Sequence, residues 1–258
     1  MAEGRQIAHH GEALVLRTWP FHEADLLVSL FTRDAGKVKG VARHALRSRR
    51  RFGGALEPGT FVRAHYTERP RQDLVRLDSF EVLWSPMTAP VTALRLAGLQ
   101  LVVEVVEEVM PEGAPEDHVF RLAIACLTGM EDKGAEAETS AVWGAATYFC
   151  VWMSRLMGWW PELGHCAVCG LDLRGNEVWW SPVADGVTCR DDRRPHSKRM
   201  CAESVAESYA MARSGLEKVL ETAWPQERAH DLREFAVAVL ERHLDRRLRA
   251  AAVLLHGV

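Results

Sequence analysis

From residue 13 onward the chain runs through short apolar segments of six to nine residues, each bounded by turn formers: 13–18 (ALVLRT), 25–32 (DLLVSLFT), 36–43 (GKVKGVAR), 61–66 (FVRAHY) and 74–82 (LVRLDSFEV). Segments of this length, rich in Val, Leu and Phe and flanked by Gly, Pro or Asp, predict β-strands. Asp34-Ala35-Gly36 makes a tight hairpin turn in which Gly36 can take a positive φ. Five strands in about 80 residues, without a long helix between them, predict a small closed barrel. An OB-fold is the first choice, and a five-stranded SH3-like barrel shares the pattern.

After Pro86 and Pro90 the period becomes helical. Residues 91–110 bring Leu94, Leu101, Val105 and Val109 to one face, and leave Glu104, Glu107 and Glu108 on what reads as a solvated face. A second helix covers 116–130. A third runs from 139 or 140 to about 158, apolar almost all round, and its Trp143, Phe149, Trp152, Met153 and Leu156 predict the central core helix. The uncharged part, 139–154, is shorter than the roughly 20 residues of a membrane span. The last helix is expected to open on Asp231 and Glu234 as N-cap and N3 of a capping box. It would then run unbroken through Leu232, Phe235, Val239, Leu240, Leu244, Leu248 and Leu255. The chain therefore reads as α+β and multi-domain: a nucleic-acid-binding barrel over 1–85, a helical domain over 86–258, and a ribbon-like insertion over 163–202.

Charge sharpens this division. The chain of 258 residues is net −3, yet residues 1–85 are net +4 and the remainder net −7. Within 33–51 stand Arg33, Lys37, Lys39, Arg43, Arg47, Arg49, Arg50 and Arg51 against the single acid Asp34. In a strand, alternate residues share a face. Lys37, Lys39, Val41 and Arg43 thus point one way while Val38, Gly40 and Ala42 point the other, and a flexible arginine run continues the basic face. Such a surface suits the backbone of a nucleic acid; the competing reading is an edge strand whose lysines only discourage aggregation. Ten acids between residues 98 and 138 would repel DNA, which keeps the expected path on the barrel. Arg242, Arg246 and Arg249, spaced i, i+4, i+7 with Arg247 beside them, form a second basic patch or an ordinary solvated face.

Candidate metal chemistry lies in 163–202. Cys126 and Cys150 fall singly in apolar helical patterns, as core cysteines do. Cys166-x2-Cys169-Gly170 has the form of a zinc-knuckle turn, and Cys189 follows at ribbon spacing after a hairpin through 178–180. A complete ribbon would place its fourth cysteine at 192, where this chain has Asp192. Cys201 is the first choice for the fourth zinc ligand, His196 the second and Asp192 the third. The alternative is a degenerate ribbon that folds on Trp179 and Trp180 without metal. Residues 1–13 lack the apolar region of an export signal, so a cysteine cluster in a reducing cytoplasm argues for zinc rather than disulfides. A zinc deaminase would need His-x-Glu shortly upstream of Pro-Cys-x-x-Cys, and here His10-Gly11-Glu12 is remote and His165 precedes Cys166. No phosphate loop, HExxH or G-x-S-x-G is present, and the chain is read as a non-enzyme. A zinc-ribbon factor binding structured RNA, and a zinc hydrolase of unrecognised fold, are the competing function classes.

The stretch HEADLLVSLFTRDAGKVKGVARHALRSRRRFGGALEPGT at 22–60, preceded by ALVLRT and echoed near the C-terminus by HLDRRLRAAAVL, resembles the RecO family of bacterial DNA repair proteins. Arg43-His44-Ala45 departs slightly from the commoner Arg-Gly-Ala, and the cysteine region departs from the family's ribbon at its fourth position. The resemblance implies an N-terminal OB-fold, a helical domain with an inserted zinc ribbon, and a non-enzymatic role in recombinational repair. It implies binding to single- and double-stranded DNA and annealing of complementary strands. With RecR, such proteins load the RecA recombinase onto strands coated by single-strand binding protein (SSB), whose C-terminal tail is a further candidate partner. A cytoplasmic, nucleoid-associated protein is expected.

Overall fold

The computed structural model describes residues 6–48, 50–70, 72–88, 91–131 and 135–256. Five strands close a barrel in the order β1-β2-β3-β5-β4: β1 (Ile7–Pro20), β2 (Leu26–Thr32), β3 (Gly36–Ala42), β4 (Phe61–Glu68) and β5 (Val75–Trp84). All pairs are antiparallel except β3 with β5, which pair in parallel over Gly40–Ala42. This is the topology of an OB-fold, the first of the two barrels that the strand pattern allowed. Gly40 permits the closure, because a Cβ there would lie 2.6 Å from Val75 Cγ2. The interior holds Ala13, Val15, Val28, Leu30, Ala42, Val62, Ala64, Val75 and Leu77. From the β3–β4 loop, Phe52 and Ala55 join them, Phe52 meeting Phe80 edge-on at 5.4 Å.

One irregularity decides which residues of β1 face outward. Ala13 and Val15 point into the barrel, so strict alternation would send Arg17 and Trp19 inward as well. A bulge between Val15 and Arg17 shifts the register. Thr18 then pairs with the inward Val28, while Arg17 and Trp19 pair with the outward Ser29 and Leu27.

The chain forms two compact units: Met1–Val91 with Val102–Thr128, and Thr92–Leu101 with Gly129–Val258. The barrel's unit therefore includes the second half of α1 (Ala93–Val109) and nearly all of α2 (Asp117–Gly129). The other unit centres on α3 (Ala135–Leu156), which packs against α6 (His230–Leu244). Trp143, Phe149 and Met153 of α3 are buried as their apolar pattern requires, whereas Trp152 is only half-buried and its indole N–H donates to Met211 O. Arg233 is fully buried beside α3, over the Trp143 ring at 4.4 Å and donating to Thr147 Oγ1 at 2.9 Å. Burial pulls its pKa down to about 10.

Between α3 and α6 lie the ribbon, with β6 (Val178–Trp180) paired to β7 (Lys198–Met200), and then α4 (Ala202–Met211) and α5 (Leu216–Leu220). Sequence periodicity does not separate α4 and α5 from the ribbon's tail. The C-terminal helix is not continuous: Asp245 takes a left-handed conformation (φ 50°) and ends α6, and α7 (Arg249–His256) follows. Nor is there a capping box. Ala229 occupies the N-cap, Asp231 accepts from Cys201 N–H at 2.7 Å and from Ser204 Oγ, and Glu234 pairs with Lys198. Tertiary partners outcompete the local cap for both carboxylates. No helix among the described residues is long and apolar enough to cross a membrane.

Candidate nucleic-acid interface and cysteine cluster

The outer face of β1, β2 and β3 is organised in tiers by strand register. Leu14, Phe31 and Lys37 form the first; Arg17, Ser29 and Lys39 the second; Trp19, Leu27 and Val41 the third, continued onto β5 by Arg76. As alternation requires, Val38 and Ala42 belong to the core side.

Apart from the exposed Arg17, the first two tiers are covered within the same unit. Phe120 of α2 packs against Phe31 and Phe61 at 5.9 and 6.0 Å. Glu107 of α1 accepts from Ser29 Oγ at 2.6 Å, and its backbone carbonyl accepts from Lys37 Nζ at 2.6 Å. The α1–α2 connection runs against β3, with Gly113 N–H donating to Lys37 O at 3.0 Å. Gly36 (φ 70°) makes this approach possible: a Cβ there would lie 2.4 Å from the Ala114 backbone. Lys39 pairs with Glu112 at 2.6 Å, and Arg33 pairs with Asp117 at 2.7 Å and Glu12 at 3.0 Å. The hydrogen bond to Glu112 raises the Lys39 pKa, and the reciprocal bond from Lys39 holds Glu112 below the usual carboxylate value. Glu107, which helical periodicity assigns to a solvated face, is thus engaged, and the acidic segment clasps the basic strand.

The remaining cations are differently placed. Arg43, Arg47, Arg50 and Arg51 have no carboxylate partner among the described residues. The described part of the arginine run is anchored rather than loose. His44 N–H donates to Asp25 Oδ1 at 2.7 Å, Arg51 Nε donates to Ser48 Oγ at 3.1 Å, and Phe80 N–H donates to Arg51 O at 2.8 Å. Arg49 lies outside the described residues. Beside this cluster, a cavity of about 420 Å³ is lined by Val41, Arg43, Arg69 and Arg76 among others.

In the ribbon, Cys166, Cys169, Cys189 and Asp192 bring their ligand atoms within 4.8 Å of one another. Asp192 Oδ2 stands 3.2 Å from both Cys166 Sγ and Cys189 Sγ, and the sulfurs of Cys169 and Cys189 are 3.9 Å apart. A tetrahedral ion bonded to sulfur at about 2.3 Å separates its ligand atoms by roughly 3.5–3.8 Å, so the donor set fits a metal ion of that kind. Backbone geometry builds the site. Gly170 (φ 75°) turns the knuckle so that its N–H reaches Cys166 O at 2.9 Å, and Cys189 N–H donates to Cys166 Sγ at 3.3 Å. Burial pushes the Cys166 thiol up, but the N–H groups of Cys169, Cys189 and Val168 outweigh it and the net direction is down. Asp192 drives the Cys169 thiol up to about 12 and is itself held low by the three thiols. Three sulfurs and a carboxylate crowded around one point are a strong attractor for a divalent cation.

The residue gathered with the three cysteines is Asp192, the third choice for the fourth ligand, and not Cys201. Cys201 caps α4, and its Sγ lies 3.3 Å from Ser204 Oγ. His196 is exposed with φ 63° and is not among the four donors. The signal for Asp192 was its position: Cys189-x2-Asp192 repeats the spacing of Cys166-x2-Cys169. The ribbon then packs on α6 through Trp180, edge-on to Phe235 at 5.3 Å, beside Trp160 of the segment after α3, also edge-on to Phe235 at 5.3 Å. Arg242 donates to Ala184 O at 2.6 Å and pairs with Asp185 at 2.7 Å. With the helix broken at Asp245, Arg242, Arg246 and Arg249 do not form one helical stripe.

Fold and sites together define a protein built from an OB-fold barrel with an arginine cluster and a helical unit carrying a ribbon able to hold a metal ion. Comparison with known proteins makes this specific. Residues 7–86 match the family model of the recombination protein O N terminus, and residues 92–252 that of the recombination protein O C terminus. The chain is 48% identical over 243 residues to the DNA repair protein RecO of Koribacter versatilis (strain Ellin345), covering 94% of this chain and 96% of that protein. It is 32% identical over 243 residues to the DNA repair protein RecO of Anaeromyxobacter sp. (strain K), covering 93% of each. The chain belongs to the RecO family of DNA repair proteins.

Proposed function

We propose that this protein binds single- and double-stranded DNA through its barrel and anneals complementary strands without catalytic turnover. Working with RecR, it loads RecA onto SSB-coated single strands, the SSB tail being a further contact. The observation that carries the DNA reading is the set of arginines 43, 47, 50 and 51. They sit together at one end of an OB-fold, on an anchored loop, with no acid to balance them among the described residues. Cations in that state can release counterions from a phosphate backbone, which is the main sequence-independent source of affinity. Arg33, Lys37 and Lys39 contribute less, because their charge already meets Asp117, Glu12, Glu107 O and Glu112. The roles of RecR, SSB and RecA rest on family membership.

The ribbon holds one zinc through Cys166, Cys169, Cys189 and Asp192. Four protein donors close the shell, so the ion would supply folding energy and not a reactive water. The test is fluorescence annealing of complementary oligonucleotides, run alone, with SSB, and with SSB and RecR. Annealing that this protein accelerates on SSB-coated strands supports the reading. No acceleration, or equal preference for RNA strands at the same salt, overturns it.

A further inference from the structure

We infer that Trp19 and Phe21, on the open end of the barrel's outer face, form a stacking platform for the bases of single-stranded DNA. The bulge in β1 turns Trp19 outward, where it heads a row with Leu27 and Val41 that ends at Arg76. Arg17, the preceding outward residue, lays its guanidinium over the Trp19 ring at 5.1 Å. Two residues beyond Trp19, Phe21 keeps its backbone in the ladder through N–H to Asp25 O at 3.1 Å. The residue is 42% exposed, and its ring meets His22 edge-on at 4.4 Å. Leu27 and Val41 are half-buried apolar residues in the same row, and Leu46 of the next loop is 65% exposed.

An apolar and aromatic surface of this kind is costly to leave in water unless something covers it. Its surroundings select the occupant. Arg17, Arg43 and Arg76 border the patch, and the cavity lined by Val41, Arg43 and Arg76 opens beside it. Three carboxylates lie there: Asp78 pairs with Arg76 at 2.7 Å, Asp25 accepts from His44 N–H, and Asp73 lines the cavity, which leaves Arg17 and Arg43 as the cations to meet phosphate. Aromatic rings flanked by guanidinium groups match a polyanion whose bases are unstacked, since every base offers a π-face while the phosphates meet the arginines. Duplex DNA hides its bases and can use only the cations. The patch thus sets the single-strand preference of the interface, and this inference rests on the proposal that the barrel is the DNA site.

The test compares a 30-nucleotide oligothymidylate with a duplex of equal length, at one salt concentration, for the wild type, Trp19→Ala, Trp19→Phe and Phe21→Ala. Base–aromatic stacking predicts about a tenfold loss of single-strand affinity in Trp19→Ala. A smaller loss is expected in Phe21→Ala, near-wild-type affinity in Trp19→Phe, and less than a twofold change on the duplex throughout. Equal loss on both DNAs, or no loss in a folded Trp19→Ala, overturns the platform. A wild type that binds neither DNA overturns the underlying DNA reading instead.

Discussion

Strand β3 gathers positive charge and the ribbon knuckles gather thiols, and each meets a carboxylate, on β3 from a distant segment and in the ribbon from the second knuckle itself. At β3 and the turn before it, Glu112 of the α1–α2 connection and Asp117 at the start of α2 balance Lys39 and Arg33. In the ribbon, Asp192 joins Cys166 and Cys189 at 3.2 Å. The outcomes are opposite. A carboxylate beside cations removes charge from a surface and leaves the unpaired arginines as its free positive charge. A carboxylate beside thiols completes a four-donor set that could hold a cation. The same functional group thus closes one site to an anionic ligand and opens another to a metal.

The ribbon half of this contrast carries the largest expected effect. Cys166→Ser should abolish bound zinc and cost about 3 kcal/mol or more, near 10 °C in Tm, because metal binding in such sites is coupled to folding. Cys201→Ser should keep full zinc content, and Asp192→Cys should keep it too by restoring the ribbon's fourth thiolate. Zinc content by mass spectrometry and calorimetry on the wild type and these variants decide the matter. Zinc lost from Cys201→Ser but retained in Asp192→Ala would reverse the ligand assignment.

On the barrel, Arg43→Ala/Arg47→Ala/Arg50→Ala together should weaken oligonucleotide binding by about 10- to 100-fold near 0.1 M salt. The salt slope should flatten by about 0.7 for each single-strand phosphate left without its arginine. Lys37→Ala/Lys39→Ala should cost about threefold or less, since those charges are already partnered. Equal weakening in the two variants would mean that the acidic clasp opens when DNA binds. Fluorescence anisotropy across a salt series separates the cases.

The smallest effect concerns the clasp itself. Glu112→Gln frees Lys39 and should raise DNA affinity about two- to threefold at low salt, while lowering stability by less than about 1 kcal/mol, as for other exposed pairs. The sign with pH follows from the Glu112 pKa, which Lys39 depresses. The pair's stabilisation is fully present above the ordinary carboxylate pKa and disappears as pH falls through the lower folded value. The Tm difference between wild type and Glu112→Gln should therefore shrink from pH 7 toward strongly acidic pH. A difference that grows on acidification would assign the stabilisation elsewhere.

The sequence by itself determined the five strands, the outward set Lys37, Lys39 and Val41, the central apolar helix and the two-knuckle spacing of the ribbon, whereas Arg43 falls in the turn beyond β3. Each is a local property: strand alternation, helical period and x2 turns are set by residues a few positions apart. Family membership was legible for the same reason, from the contiguous run at 22–60. Tertiary structure alone decided the rest. The bulge that turns Arg17 and Trp19 outward depends on how β1 pairs with β2. Asp245 breaks the last helix although the leucine period runs through it, and Asp231 and Glu234 leave the capping box for Cys201, Ser204 and Lys198. The acids that balance β3 lie far along the chain, Glu107 being 78 residues from Ser29 and 70 from Lys37, and Asp117 84 from Arg33. Periodicity carries no information at such separations. Whether a charge is free is fixed only when folding brings its counter-charge within hydrogen-bonding distance.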